Sequence, residues 1–234
     1  MIKKKICGVL AFVFIVVICY SGYRLWDIQA DYREEKAVHN AVLEYRPRQD
    51  DTVNQNVIDL KAEYPDAAGW LTIPNTSIDY PFVQSKDNDY YLRRDINGSY
   101  ATAGTLFLDY RCNQDFTSQN TIIYGHHMKN GSMFGGLRFF NERAFFDANR
   151  QGTIYLPSNT LALEFFAYLV INPNTEEELY STVLKETYHD YVRQNARHCL
   201  DIDMAEGDRI VTLSTCSYEF ENARMVLLAK VKAE

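Results

Sequence analysis

The chain lacks the clustered positive charge that a nucleic-acid partner demands. Its formal net charge is −7 and no basic stripe is visible beyond Lys3-Lys4-Lys5, whereas neutralising phosphates takes Lys and Arg gathered on one face. Nucleic acid is therefore excluded as a partner. Cys-x-x-Cys and His-x-x-x-His spacings are also missing, so nothing points to a structural zinc site, and no metal or cofactor is expected. No second long apolar run follows the one near the N-terminus. Cysteine is scarce, with five in 234 residues.

What is present suits a β-rich body with an appendage. The length allows one sizeable domain and a further segment, and 17 Tyr with 13 Phe favour strands. Lys3-Lys4-Lys5 precede an apolar run from Ile6 to about Tyr23, near the lower limit for crossing a bilayer, and the basic flank belongs on the cytoplasmic side. A cleaved signal peptide shares this pattern, but no small-x-small site follows the run. A lipoprotein signal at Cys19 would need a small residue where Ile18 stands. The expected organisation is a cytoplasmic N-terminus over 1–5, a transmembrane signal anchor over 6–23, a helical segment over 24–65 and a β-rich body over 66–234. The body then lies outside the cell.

Outside the anchor, Cys112, Cys199 and Cys216 are an odd number, which leaves a free thiol unless chains pair. Cys112 and Cys199 form a disulfide or stay as two buried thiols; their spacing does not choose. Within 24–65, Val38, Ala41, Val42 and Tyr45, then Val53, Val57, Leu60 and Tyr64, recur at helical spacing on either side of Arg46-Pro47-Arg48. This predicts an N-terminal helical pair. From Asp66 onward, short apolar runs at 69–73, 78–83, 104–110, 121–124, 153–156 and 161–171 are punctuated by Pro74-Asn75, Asn97-Gly98, Asn130-Gly131 and Pro157-Ser158-Asn159. Such a pattern favours a β-barrel or sandwich. Thr175-Glu-Glu-Glu178 reads as a capping box. The stripe Tyr180, Leu184, Tyr188 and Tyr191, with Arg193 and Arg197 beyond it, predicts a helix of about five turns.

The chemistry gathers at Thr212-Leu-Ser-Thr-Cys216. Val211 and Leu213 alternate with Thr212, Ser214 and Cys216, the period of a half-buried strand. Arg224 opens a second strand-like run to Val231, and the polar stretch 217–223 can bring it back beside Cys216. Only the thiolate of cysteine is a strong nucleophile, and at an ordinary pKa of about 8.5 a nearby cation raises its share. A guanidinium also offers a rigid fork of donors for the oxyanion formed when a thiolate attacks a carbonyl. Upstream, Asn120-Thr-Ile-Ile-Tyr-Gly-His126-His127 places two imidazoles at the end of another apolar strand. An imidazole can protonate a departing amine. Adjacent residues of an extended segment face opposite sides, so either His126 or His127 fits this role.

These pieces resemble the sortases, cysteine transpeptidases of the Gram-positive cell surface. In that family a cysteine closes a Thr-Leu-x-Thr-Cys segment, an arginine follows on the next strand, and a histidine ends an earlier one. The resemblance covers roughly 66–231. It implies an eight-stranded β-barrel and selects His126, directly after the glycine, as the catalytic imidazole beside Cys216 and Arg224. The N-terminal helical pair, the long helix before the cysteine strand and the missing Asp-Pro-aromatic lid make it similar to class B. Tyr124 and Ser214, two residues before His126 and Cys216 and so on the same strand faces, are expected either at the substrate or in the core or barrel wall. Asn88 and Leu92 lie in a segment resembling the class B region near the sorting signal, and are either substrate-binding residues or part of an ordinary loop. The implied partners are surface proteins bearing a C-terminal sorting signal, a peptidoglycan or lipid-linked precursor amine, and the membrane. A Cys-His hydrolase using water as acceptor and a non-catalytic anchored module are the competing readings.

Overall fold

The computed structural model describes residues 2–48, 53–174, 177–201, 207–216 and 222–232. The chain divides into two units, Met1–Ala41 and Val42–Glu234. The first is helical: α1 runs unbroken over Ile2–Val42. It is long and apolar enough to cross a membrane by length and composition, and Phe12, Phe14, Ile15 and Trp26 are exposed on it. The expected helix around Val38–Tyr45 is no separate element. It continues α1 because no Gly or Pro interrupts residues 24–45, and the break comes at a short 3-10 turn, Leu43–Tyr45, just before Pro47. The second predicted helix is α2, Gln55–Glu63, with Val57 and Leu60 buried.

In the second unit, eight strands close a barrel. They are β1 (Ala67–Thr72), β2 (Asp79–Val83), β3 (Leu106–Leu108), β4 (Asn120–Tyr124), β5 (Gln151–Tyr155), β6 (Thr160–Ile171), β8 (Ile210–Cys216) and β9 (Arg224–Val231). A two-residue strand, β7 (His198–Cys199), adds to β6 from outside the ring. The order β5-β1-β2-β3-β4-β8-β9-β6 closes through β5–β6 pairing. β2–β3 and β4–β8 are parallel. Closure leaves no open edge in the ring.

Two apolar layers follow from strand alternation. Inside the barrel, Phe82, Leu106, Ile123, Phe134, Phe165, Val211, Leu213 and Leu227 share one buried cluster. Outside it, Phe166, Leu169, Ile210, Val226 and Leu228 meet Leu179, Tyr188 and Val192, so β6, β8 and β9 are covered on both faces. A short helix, α3 (Arg143–Ala148), buries Phe146 in the inner cluster.

The long helix before the cysteine strand is not formed. Its place is taken by a 3-10 turn, Glu177–Tyr180, and a two-turn helix, α4 (Tyr188–Asn195); Thr175 and Glu176 of the expected capping box lie outside the described residues. Residues 181–187 form a strap instead. Ser181 makes a local turn, its hydroxyl donating to Val183 O at 2.6 Å, a competitor to helix that serine commonly offers. The buried side chain of Asn120 at the start of β4 donates to the carbonyls of Leu179 and Ser181 at 3.1 and 2.8 Å, and the backbone N–H of the same residue donates to Thr182 O at 3.2 Å. Those tertiary bonds take carbonyls that a helix would use for itself.

Candidate active site

Three strand ends meet at one rim of the barrel. β4 and β8 run parallel with Tyr124 opposite Ser214, and Gly125 N–H extends the pairing to Ser214 O at 3.2 Å. Thus His126 and Cys216 leave adjacent strands at the same end. β8 and β9 are antiparallel with Cys216 directly opposite Arg224, so the backbone register puts thiol-bearing and guanidinium-bearing residues side by side. The side chain of Cys216 lies outside the described residues, as do residues 217–221 of the connection.

Gly125 fits this rim because its space is taken. A Cβ there would come within 2.3 Å of Leu106 Cδ2 and 2.8 Å of Phe134 Cδ2. The imidazole of His126 then reaches Leu92, Nε2 lying 2.6 Å from the backbone carbonyl. A carbonyl only accepts, so Nε2 carries the proton in this contact and Nδ1 of a neutral ring is the basic nitrogen. The carbonyl is presented by a tight approach: Gly104 has φ +59°, and a Cβ on it would meet Tyr91 O at 2.6 Å and Leu92 O at 2.7 Å. His127 faces elsewhere. Its backbone bridges to Met133, and its ring lies next to Gly135.

A cavity of about 240 Å³ opens at the rim, lined by Asn88, Leu92, Tyr124, His126, Ser214 and Arg224, with Phe107, Gly125 and Thr215 completing it. Six sequence-predicted residues are therefore brought together. A second, larger cleft of about 560 Å³ adjoins it, sharing Tyr124 and Arg224 and adding Arg111, Glu178, Tyr180 and Lys185.

Several predicted groups have partners that sequence did not indicate. Ser214 is buried, its Oγ 2.8 Å from the hydroxyl of Tyr180. Asn88 is committed at both ends, donating to Asp109 Oδ2 at 3.0 Å and accepting from Tyr110 N–H at 3.1 Å. Leu92 exposes its side chain while its carbonyl serves His126. Tyr124 donates to Asp109 at 3.1 Å and stacks on Tyr180 at 6.2 Å between centroids; burial, followed by the charge and hydrogen bond of Asp109, pushes its hydroxyl far above the usual phenol range. Arg224 Nη1 donates to the carbonyls of Asn222 and Ala223 at 3.4 and 3.2 Å.

Asp109, Arg111, Tyr180 and Thr215 are the lining or supporting residues that sequence reasoning missed. Tyr180 was hidden in a helical stripe, and Thr215 in the apparent core face of β8; its buried Oγ1 has no hydrogen-bond partner among the described residues. Asp109 and Arg111, two apart just after an apolar run, were the one visible signal. Cys112 and Cys199 are free thiols. Cys112 is buried in the inner cluster, where burial pushes its pKa up to about 11, and Cys199 packs against the outer one, its pKa also raised by burial.

Comparison with known proteins agrees with the barrel. The family model for the sortase domain matches residues 71–232. Sortase B of Listeria monocytogenes is 38% identical over 212 residues, covering 88% of this chain and 82% of that protein. Among solved structures, sortase B of Clostridium perfringens matches with TM-score 0.70 and 35% identity over 75% of this chain and 99% of that one. Sortase B of Bacillus anthracis matches with TM-score 0.74 and 30% identity over 88% and 99%. The chain belongs to the sortase family. Within it, the relatives are class B enzymes, and the protein is a cysteine transpeptidase of that type.

Proposed function

We propose that this transpeptidase is held in the membrane by residues 6–23 and acts outside the cell. It cuts the C-terminal sorting signal of surface proteins after threonine and passes the acyl part to an amine of peptidoglycan or its lipid-linked precursor. Cys216 is the nucleophile, His126 the acid and base, and Arg224 the oxyanion partner. Tyr124, Ser214, Asn88 and Leu92 wall the peptide site. The observation that carries this reading is the register: Cys216 opposite Arg224, on a strand parallel to the one that delivers His126.

The thiolate of Cys216 attacks the threonine carbonyl carbon, and the resulting oxyanion is met by the Arg224 guanidinium. The C–N bond breaks as the imidazolium of His126 gives its proton to the leaving amine. A thioester remains on Cys216. An incoming amine attacks it, loses its proton to the neutral imidazole, and displaces the thiolate as the C–S bond breaks. With Nε2–H directed at Leu92 O, Nδ1 is the nitrogen that exchanges the proton in both halves.

The test is mass spectrometry of sorting-signal peptides incubated with the full-length protein, with and without hydroxylamine. A threonine hydroxamate is expected, since a strong small amine intercepts a thioester. Free acid alone at high amine concentration would oppose the transfer reading.

A further inference from the structure

Asp109 is a fully buried carboxylate that has no part in the reaction above. Its Oδ1 accepts from the backbone N–H and Nε of Arg111 at 2.9 Å each, and its Oδ2 accepts from Arg111 Nη2 at 2.7 Å, Asn88 Nδ2 at 3.0 Å and Tyr124 OH at 3.1 Å. Every lone pair is engaged. Two of these donors wall the smaller cleft, and the third, Arg111, walls the larger one. Arg111 carries the constraint further, donating Nη2 to Tyr180 O at 3.0 Å. Tyr180 in turn stacks on Tyr124 and hydrogen-bonds Ser214. An ionised carboxylate is a costly way to fill space. What it supplies here is orientation, a single acceptor tying three elements of the cleft wall to the end of β3.

We propose that Asp109 is a positioning residue for the acyl-donor peptide. It holds Asn88, Tyr124 and, through Arg111, Tyr180 in the arrangement that receives the peptide at the two adjoining clefts. The inference rests on the peptidyl-transfer reading. None of the hydrogen bonds of Asp109 goes to His126 or Arg224, so it acts on peptide binding and leaves the bond-making groups alone.

The test is steady-state cleavage of a sorting-signal peptide by the full-length protein in detergent, with saturating hydroxylamine, comparing wild type with Asp109→Asn. Loss of a charge-assisted acceptor should raise KM about tenfold or more and change kcat by less than about threefold. The rate of Cys216 alkylation by iodoacetamide should be unchanged. In an Asn88→Ala/Tyr124→Phe background the same substitution should raise KM by a clearly smaller factor than in wild type, because two of its three routes to the cleft are already cut and only the one through Arg111 remains. An unchanged KM, a fall confined to kcat, or a full effect in that background would overturn the proposal. If Asp109→Asn does not fold, Asn88→Ala and Tyr124→Phe carry the question: KM effects that fail to multiply support a shared anchor, and independent ones overturn it. Wild type that cleaves no peptide would instead overturn the peptidyl-transfer reading, and this inference with it.

Discussion

Deleting the sulfur of Cys216 tests the nucleophile most directly: Cys216→Ala should abolish peptide cleavage and leave the thermal midpoint close to wild type. Cys112→Ala and Cys199→Ala should retain turnover, because both thiols are disfavoured as thiolates by burial. The histidine pair separates by orientation. His126→Ala should lose at least about a hundredfold in rate, whereas His127→Ala should be mild, and the opposite order would move the acid/base role. Arg224→Lys keeps the charge and loses the fork, so turnover should fall steeply. Asp109 gives the pH dependence of stability. Burial pushes its carboxyl up, but the hydrogen bonds and charge of Arg111, with the Asn88 amide, more than offset this and hold it below the usual carboxylate range. A depressed folded pKa stabilises above the unfolded value of about 3.9, and that contribution is lost as pH falls through the folded pKa. Asp109→Asn should therefore lower Tm at neutral pH, and the gap from wild type should narrow below about pH 4. A gap constant with pH would show that the charge of Asp109 adds nothing.

Among the elements, the strap over 181–187 matters most, because Tyr180 leads into it and shares a hydrogen bond with Ser214 beside the rim. Its attachment is concentrated in Asn120, whose amide serves Leu179 and Ser181 while its Oδ1 accepts from the buried hydroxyl of Thr212 at 2.7 Å. Removing that side chain strands two carbonyls and a hydroxyl together. Asn120→Ala should destabilise by about 1–3 kcal/mol per group left without water or partner, read as a lower urea midpoint. Amide exchange should accelerate at residues 179–184 before the barrel strands respond. Uniform acceleration through β8 and β9 would mean that the strap and barrel open as one unit.

For the whole molecule, the combination of a basic start, one long apolar helix and a barrel carrying the reaction leads to a topological expectation. With Lys3 to Lys5 held inside, protease added to wall-stripped cells should digest the body and spare the anchor. Protection of the body, or its recovery as secreted protein beginning after residue 20, would oppose a retained signal anchor.

Sequence alone was enough for what depends on local period and chemistry. Short apolar runs bounded by turn residues marked the strands, β6 and β9 almost to the residue, because a strand covered on both faces reads as a near-continuous apolar run. The Thr-Leu-x-Thr-Cys segment with Arg224 downstream and Gly-His126 upstream named the candidate chemistry. Alternation also made Thr212 and Ser214 polar partners of Cys216, but not that they would be buried beneath a second apolar layer. That layer, and the loss of the expected five-turn helix, came from Asn120 taking the carbonyls of Leu179 and Ser181 about sixty positions away. Local propensity has no access to such a partner. The same holds for the placing of His126 at the cavity and His127 away from it, for the carbonyl of Leu92 that meets His126, and for Asp109 joining Asn88, Arg111 and Tyr124. Each depends on distant segments meeting at the rim of a closed barrel, and only closure brings them within hydrogen-bond reach.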